Sequence, residues 1–164
     1  MTTPVNTPDT PEATNRVAPS VFFGHGSPMN AIEVNRYSNA WREYGARVAA
    51  PRAILAISAH WFTRGTAVTA MAAPRTIHDF GGFPDVLYQQ QSPAPGDPEL
   101  AAQVAELASR AGIDVGLDTH WGLYHGTWSV LAHVFPNADV PVVQLSIDGT
   151  KPASWHWEFG ERLA

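Results

Sequence analysis

Residues 52–61 read Arg-Ala-Ile-Leu-Ala-Ile-Ser-Ala-His-Trp, and this stretch decides the architecture. Ala53 to Ile57 are apolar without a break and follow Pro51, so they read as a strand over 52–58, buried on both faces and ending at Ala59-His60-Trp61. Upstream, Tyr37, Trp41, Tyr44 and Val48 recur at intervals of four, three and four, one face of a helix that returns the chain to this strand. Further upstream, the β-prone run Ser20-Val21-Phe22-Phe23 halts at Gly24-His25-Gly26-Ser27-Pro28, which predicts another strand followed by a loop.

Downstream, a third strand is expected around Ala67 to Met71. Residues 73–96 carry Pro74, Gly81, Gly82, Pro84, Pro93 and Pro95 among aromatics, a pattern that excludes regular structure and reads as an ordered functional loop or lid. The clearest helix has Asp97 as N-cap, Pro98 at its first position and Glu99 in its first turn, then Leu100, Val104, Leu107, Ala108 and Ala111 before Gly112. Ile113 to Leu117 reads as a short strand and 118–126 as a loop. A helix from near Thr127 turns Trp128, Leu131, Ala132 and Phe135 inward, and Val140 to Ile147 is a further buried strand. Ser154 to Ala164 is helical, with Trp155, Phe159 and Leu163 spaced by four, and stops without a capping glycine, as if cut in mid-element. Strands alternating with helices predict an α/β fold with a mostly parallel central sheet and helices on both faces, incomplete at the C-terminus.

Composition narrows the partners. The 164 residues suit one domain. Residues 1–17, rich in Thr, Pro and Asn, read as a disordered tail with neither the basic start nor the apolar centre of a secretion signal, which predicts a cytoplasmic protein. Residues 18–164 form the domain. Ten Lys and Arg against 15 Asp and Glu give a net charge of −5, with no basic field for nucleic acid. No apolar run approaches the ~18 residues of a membrane span. Charged residues make up only 15%, below the ~25% typical, so a surface covered either by another chain, as in a homo-oligomer, or by a missing part of this one is expected. Without cysteine, any metal must be held by His, carboxylates or water.

Among seven histidines, two follow predicted strands directly, His25 and His60. In a parallel sheet the carboxyl ends of strands share one edge, so the two imidazoles are placed to converge on a single ion. Each alone is better explained as a histidine capping a strand and bonded to backbone; it is the pair at matching positions that points to metal. His125, flanked by Tyr124 and Gly126 ahead of a helix, is placed either as an acid–base residue or as an ordinary loop histidine. His78-Asp79 is either a carboxylate-oriented imidazole or a turn. His120, His133 and His156 have helix-surface or loop explanations.

These segments together resemble the DOPA-type extradiol dioxygenases of the LigB-type (class III) ring-cleaving enzymes. The matching stretches are Phe22 to Glu33 (FFGHGSPMNAIE), Ser58 to Trp61 (SAHW), Thr76 to Pro84 (TIHDFGGFP), Pro93 to Gly96 (PAPG), His125 to Leu131 (HGTWSVL) and Pro141 to Asp148 (PVVQLSID). They run in family order over almost everything after the tail. The resemblance implies that His25 and His60 ligate metal and that His125 is an active-site, catalytic histidine. Tyr124 departs from the Asp usual in the family, which bears on how His125 is oriented, and Ser92 stands where an aromatic often precedes Pro-Ala-Pro-Gly. Family members continue beyond the equivalent of Ala164 and supply further histidines there, so the resemblance implies a truncated chain with an incomplete metal shell. It further implies Fe(II) as cofactor, with Zn2+ able to occupy the same imidazoles, and a catecholic substrate opened with O2. His78, Phe80 and Phe83 are the candidate substrate contacts in the 73–96 loop. Two other classes remain: a zinc hydrolase with Glu33 as base, and a non-catalytic binding module.

Overall fold

The structure, a computed structural model, describes residues 18–163. The tail expected over 1–17 lies outside the described residues. A 3-10 turn (Pro28–Ala31) precedes α1 (Arg36–Arg47), β1 (Ile54–Thr63), β2 (Thr66–Thr69), β3 (Arg75–Thr76), α2 (Asp85–Tyr88), α3 (Pro98–Arg110), β4 (Val115–Asp118), β5 (Gly122–Leu123), α4 (His125–Val134), β6 (Val142–Asp148) and α5 (Ala153–Leu163).

The main sheet has the order β1-β6-β2-β4, with β1 and β6 parallel, β2 and β4 parallel, and β2 antiparallel to β6. The fold is therefore α/β with a mostly parallel but mixed sheet. The chain reverses at Arg64-Gly65, where Gly65 takes a φ of +82°, and β6 slots between the two arms of that turn. A reversal this tight leaves no length for a right-handed crossover, so the second arm must run opposite to β6. A second, two-stranded parallel sheet joins β3 to β5. Gly122 permits it, because a Cβ there would sit 2.1 Å from the Arg75 carbonyl oxygen.

Alternate residues of β6 face opposite sides. Val143 and Leu145 join Val68 and Val115 against Ala101, Val104 and Ala108 of α3 and Phe159 of α5. On the other face Val142 packs with Leu87, Leu123 and Trp128 of α4, and α1 leans on α4 through Trp41, Val130 and Val134. Gly45 allows that crossing, since a Cβ would reach 2.1 Å from the Val134 carbonyl oxygen. Asp97 caps α3 by accepting from the Leu100 N–H, and Gly112 leaves it at φ +74°, as its sequence signals require. Trp155, Phe159 and Leu163 of α5 all meet this core.

Five expectations change, the first being the loop read over 118–126, which holds β5. Val21 to Phe23 form no strand: nothing among the described residues pairs with them, and Phe22 is 95% exposed. The fully buried strand is β6, not β1, because β1 lies at the sheet edge and Ile57 and Phe62 are exposed. The 73–96 stretch is not wholly irregular, since it holds β3 and α2 and is tied down by buried Leu87, Ser92 and Ala94. Finally, α4 starts at His125 rather than Thr127, with Asp79 as an outside cap, so His125 belongs to the helix and not to the loop before it.

Candidate metal centre

His60 sits on a distortion of β1. Between the register pairs Ile57–Leu145 and Phe62–Ile147, β1 advances five residues while β6 advances two. The surplus bulges at Ser58 to Trp61, and the Ser58 hydroxyl accepts from the His60 N–H at 3.2 Å to fix the turn of chain. Bulges of this kind re-aim a side chain next to a site. His25 arrives on the loop before the 3-10 turn, where Gly26 has a φ of +62° and Ser27 caps the turn through Met29. His125 is the first residue of α4.

The three imidazoles meet. His25 Nε2 lies 3.1 Å from His60 Nε2, the ring centroids are 4.3–5.0 Å apart in all three pairs, and one nitrogen from each lies within 4.8 Å of the others. Gly126 makes room: a Cβ there would press 3.2–3.3 Å from the rings of both His25 and His60. The convergence expected of His25 and His60 is met, by a loop and a bulge rather than by two neighbouring strand ends.

Behind the imidazoles sits Asp79, the residue that sequence reasoning undervalued. Its Oδ1 accepts from His125 Nδ1 at 2.9 Å and from the His125 N–H at 3.0 Å. Its Oδ2 lies 3.1 Å from His60 Nδ1, an electrostatic contact whose alignment falls short of a hydrogen bond, so Oδ2 is buried without an aligned donor. Asp79 thus orients histidines distant in sequence and not its neighbour His78. Burial opposes charge on this carboxyl, but the two hydrogen bonds from His125, its charge and a backbone hydrogen bond together hold Asp79 below the usual carboxylate range. An ionised Asp79 fixes the proton of His125 on Nδ1 and leaves the Nε2 lone pair facing the other rings.

Tyr124, at the N-cap of α4, makes no side-chain capping bond, and burial raises its phenol above the ordinary value. Asp79 caps the helix in its place, while fully buried Gln144 of β6 accepts from the Tyr124 N–H and the Thr127 hydroxyl. His25 is held below the ordinary imidazole value, first by burial and then by the neighbouring His125 and His60.

The donor set suits a divalent metal ion. Two nitrogens bound cis to one ion at about 2.0–2.1 Å stand roughly 3.0–3.4 Å apart, and His25 and His60 already have that spacing. If neither Nε2 carries a proton, two lone pairs face each other; if His25 Nε2 donates, its buried Nδ1 is left without proton or partner. A cation between the rings would take up both Nε2 lone pairs, with the proton of His25 on Nδ1.

An aromatic wall borders the cluster. Phe80 stands edge-on to His125 with centroids 5.4 Å apart, and Phe83 stands edge-on to Phe80 at 5.4 Å. His78 lies behind Phe80, near Trp128, and its Nε2 donates to the Gln90 carbonyl at 3.0 Å. Glu33 is exposed and takes no part in the contacts around the imidazoles. A groove between β1, β6 and α5 and a small hollow under Pro93 lie apart from this centre.

An α/β sheet that gathers three imidazoles over a carboxylate defines a protein with a non-haem type of metal centre. The chain belongs to the LigB family, the catalytic LigB subunit of aromatic ring-opening dioxygenase, which it matches over residues 19–164. It is 56% identical over 147 residues to the 4,5-DOPA dioxygenase extradiol of Escherichia coli K12, covering 89% of this chain and 54% of that protein. With the enzyme of that name from Beta vulgaris it shares 39% identity over 157 residues, 92% of this chain and 58% of the other. A crystal structure of an uncharacterized Escherichia coli K12 protein superposes with a TM-score of 0.67 at 47% identity, covering 84% of this chain and 50% of that one. The chain spans about half the length of these relatives. No helix among the described residues is long and apolar enough to cross a membrane.

Proposed function

We propose that the protein is an extradiol ring-cleaving dioxygenase of catecholic, DOPA-like substrates, with Fe(II) held at His25 and His60 and His125 acting in catalysis. The observation that carries this reading is the meeting of three imidazoles, two of which, His60 and His125, turn their remaining nitrogens toward one carboxylate. Fe(II), when bound, supplies the electronic link between a chelated diol and O2. Zn2+ suits the same nitrogens and would compete for them.

The chain's own groups do the rest. His125 Nε2, its tautomer fixed by Asp79, accepts a proton from a catechol hydroxyl and returns it later to oxygen. Asp79 stabilises the imidazolium formed in between. Phe80 offers a ring edge to an aromatic substrate lying against His125, and Phe83 backs it. The ring bond adjacent to the diol opens and both atoms of O2 enter the product.

The test is anaerobic loading with Fe(II), then addition of DOPA or catechol and O2, with oxygen uptake and the coloured ring-opened product followed together. One metal per chain is expected, lost in His60→Ala, with oxygen uptake tied to metal content. Because the chain spans about half the length of its relatives, the assay is run on this chain and on a version extended at its C-terminus; no oxygen consumption by either, when folded and loaded with Fe(II), overturns the dioxygenase reading, and metal binding that survives in His60→Ala overturns the metal site.

A further inference from the structure

The imidazoles of His60 and His125 are buttressed by Asp79, whereas no side chain meets the buried Nδ1 of His25, which has only the backbone of neighbouring Gly26 near it and no well-aligned partner. What holds His25 is its backbone. The Asn30 side-chain amide donates to the His25 carbonyl at 2.9 Å, and the Asn30 carbonyl accepts from His133 Nε2 at 2.7 Å. The other polar atoms of Asn30 are also engaged, its N–H with the Ser27 carbonyl at 3.0 Å and its Oδ1 with the Asn35 amide at 2.8 Å. Asn35 in turn caps α1 through Tyr37 and Ser38. Both Asn30 and His133 are buried, at 7% exposure. Gly26 lets the amide come close, since a Cβ there would lie 3.1 Å from Asn30 Nδ2.

His133 lies on α4, eight residues and roughly 12 Å along the axis from His125. One rigid helix therefore carries one imidazole of the cluster at its first residue and anchors the loop bearing another near its end. We propose that Asn30 and His133 are positioning residues for His25, setting its distance from His60 and His125 and so the metal affinity of the centre. This rests on the metal-site reading above.

The test uses the whole chain, with anaerobic Co(II) titration followed by its visible d–d absorption, and Zn(II) competition for affinity. Variants are compared at a temperature where circular dichroism shows each to be folded. Asn30→Asp, which removes the donor to His25, and His133→Phe, which removes the anchor, are each expected to weaken binding about 10–100-fold and shift the Co(II) bands. His133→Gln keeps a donor near the position of Nε2 and is expected to restore most of the affinity. If Asn30→Asp does not fold, the His133→Phe and His133→Gln pair decides. Affinities within twofold of the wild type and unchanged spectra overturn the inference while leaving the metal site standing. A wild-type chain that binds no Co(II), or His60→Ala binding as tightly as wild type, overturns the metal-site reading itself.

Discussion

The two faces of the sheet are built from different chemistry. Toward α3 and α5 the buried set is mostly apolar, Val68, Ala101, Val104, Ala108, Val115, Val143, Leu145 and Phe159, with Thr66 as a polar residue on the Val68 side of β2. Toward α4 the buried residues include His125, Thr127, Ser129, His133 and Gln144, with Asn30 across from them. A buried polar group costs about 1–3 kcal/mol unless partnered. Most of these are partnered, but the Ser129 hydroxyl and the Gln144 side-chain nitrogen are not. The α3 face therefore carries stability, and the α4 face spends some of it on holding three imidazoles in one place.

That division can be broken by experiment. Leu145→Ala, on the apolar face at 2% exposure, is expected to destabilise the fold by about 2–5 kcal/mol in urea denaturation while the folded fraction keeps its metal affinity. A large loss of affinity there would show that the faces are not separable. Asp79→Asn, on the other face, is expected to lower metal affinity about 10–100-fold, measured by Co(II) titration, because the carboxylate no longer fixes the His60 and His125 rings. Asp97→Ala removes the cap of α3 and should cost roughly 0.5–2 kcal/mol of stability with no change in metal affinity.

The apolar face was also the more legible in the sequence. Asp97, Pro98 and Gly112 mark the ends of α3 by local chemistry, and the period of Val104 and Ala108 names its inner side, although Leu107, on the same stripe, is 42% exposed. His25 and His60 stood out because each follows a β-prone run. The rest of the centre depends on contacts between residues far apart in the chain. Asp79 reaches His125 across 46 positions, and Asn30 meets His133 across 103. No periodicity records such pairings. Nor does a β-prone run reveal whether a neighbour awaits it, which is why Val21 to Phe23 read as a strand and are not one. The antiparallel entry of β2 was hidden for a related reason: Arg64-Gly65 specifies a reversal, but not that β6 will insert between its arms.

The smallest expected effect is a pH slope confined to the polar face. Burial first, and then the nearby Arg42 of α1, hold His133 below the ordinary imidazole value of 6.5, against the pull of its hydrogen bond to the Asn30 carbonyl. The unfolded chain, with its free imidazole, binds the proton at higher pH than the folded one. Stability contributed by the neutral, buried ring is thus complete above about pH 6.5 and is lost as pH falls below it. In His133→Gln this titration is absent, so urea midpoints measured from pH 7.5 down to 5 should fall less steeply than in the wild type. His25, also depressed, keeps some slope in both proteins. Identical slopes would mean that His133 keeps its proton affinity on folding and that water, not protein, surrounds it. Leu145→Ala should leave the slope as it is, since Leu145 packs into the apolar cluster on the α3 face and not against His133.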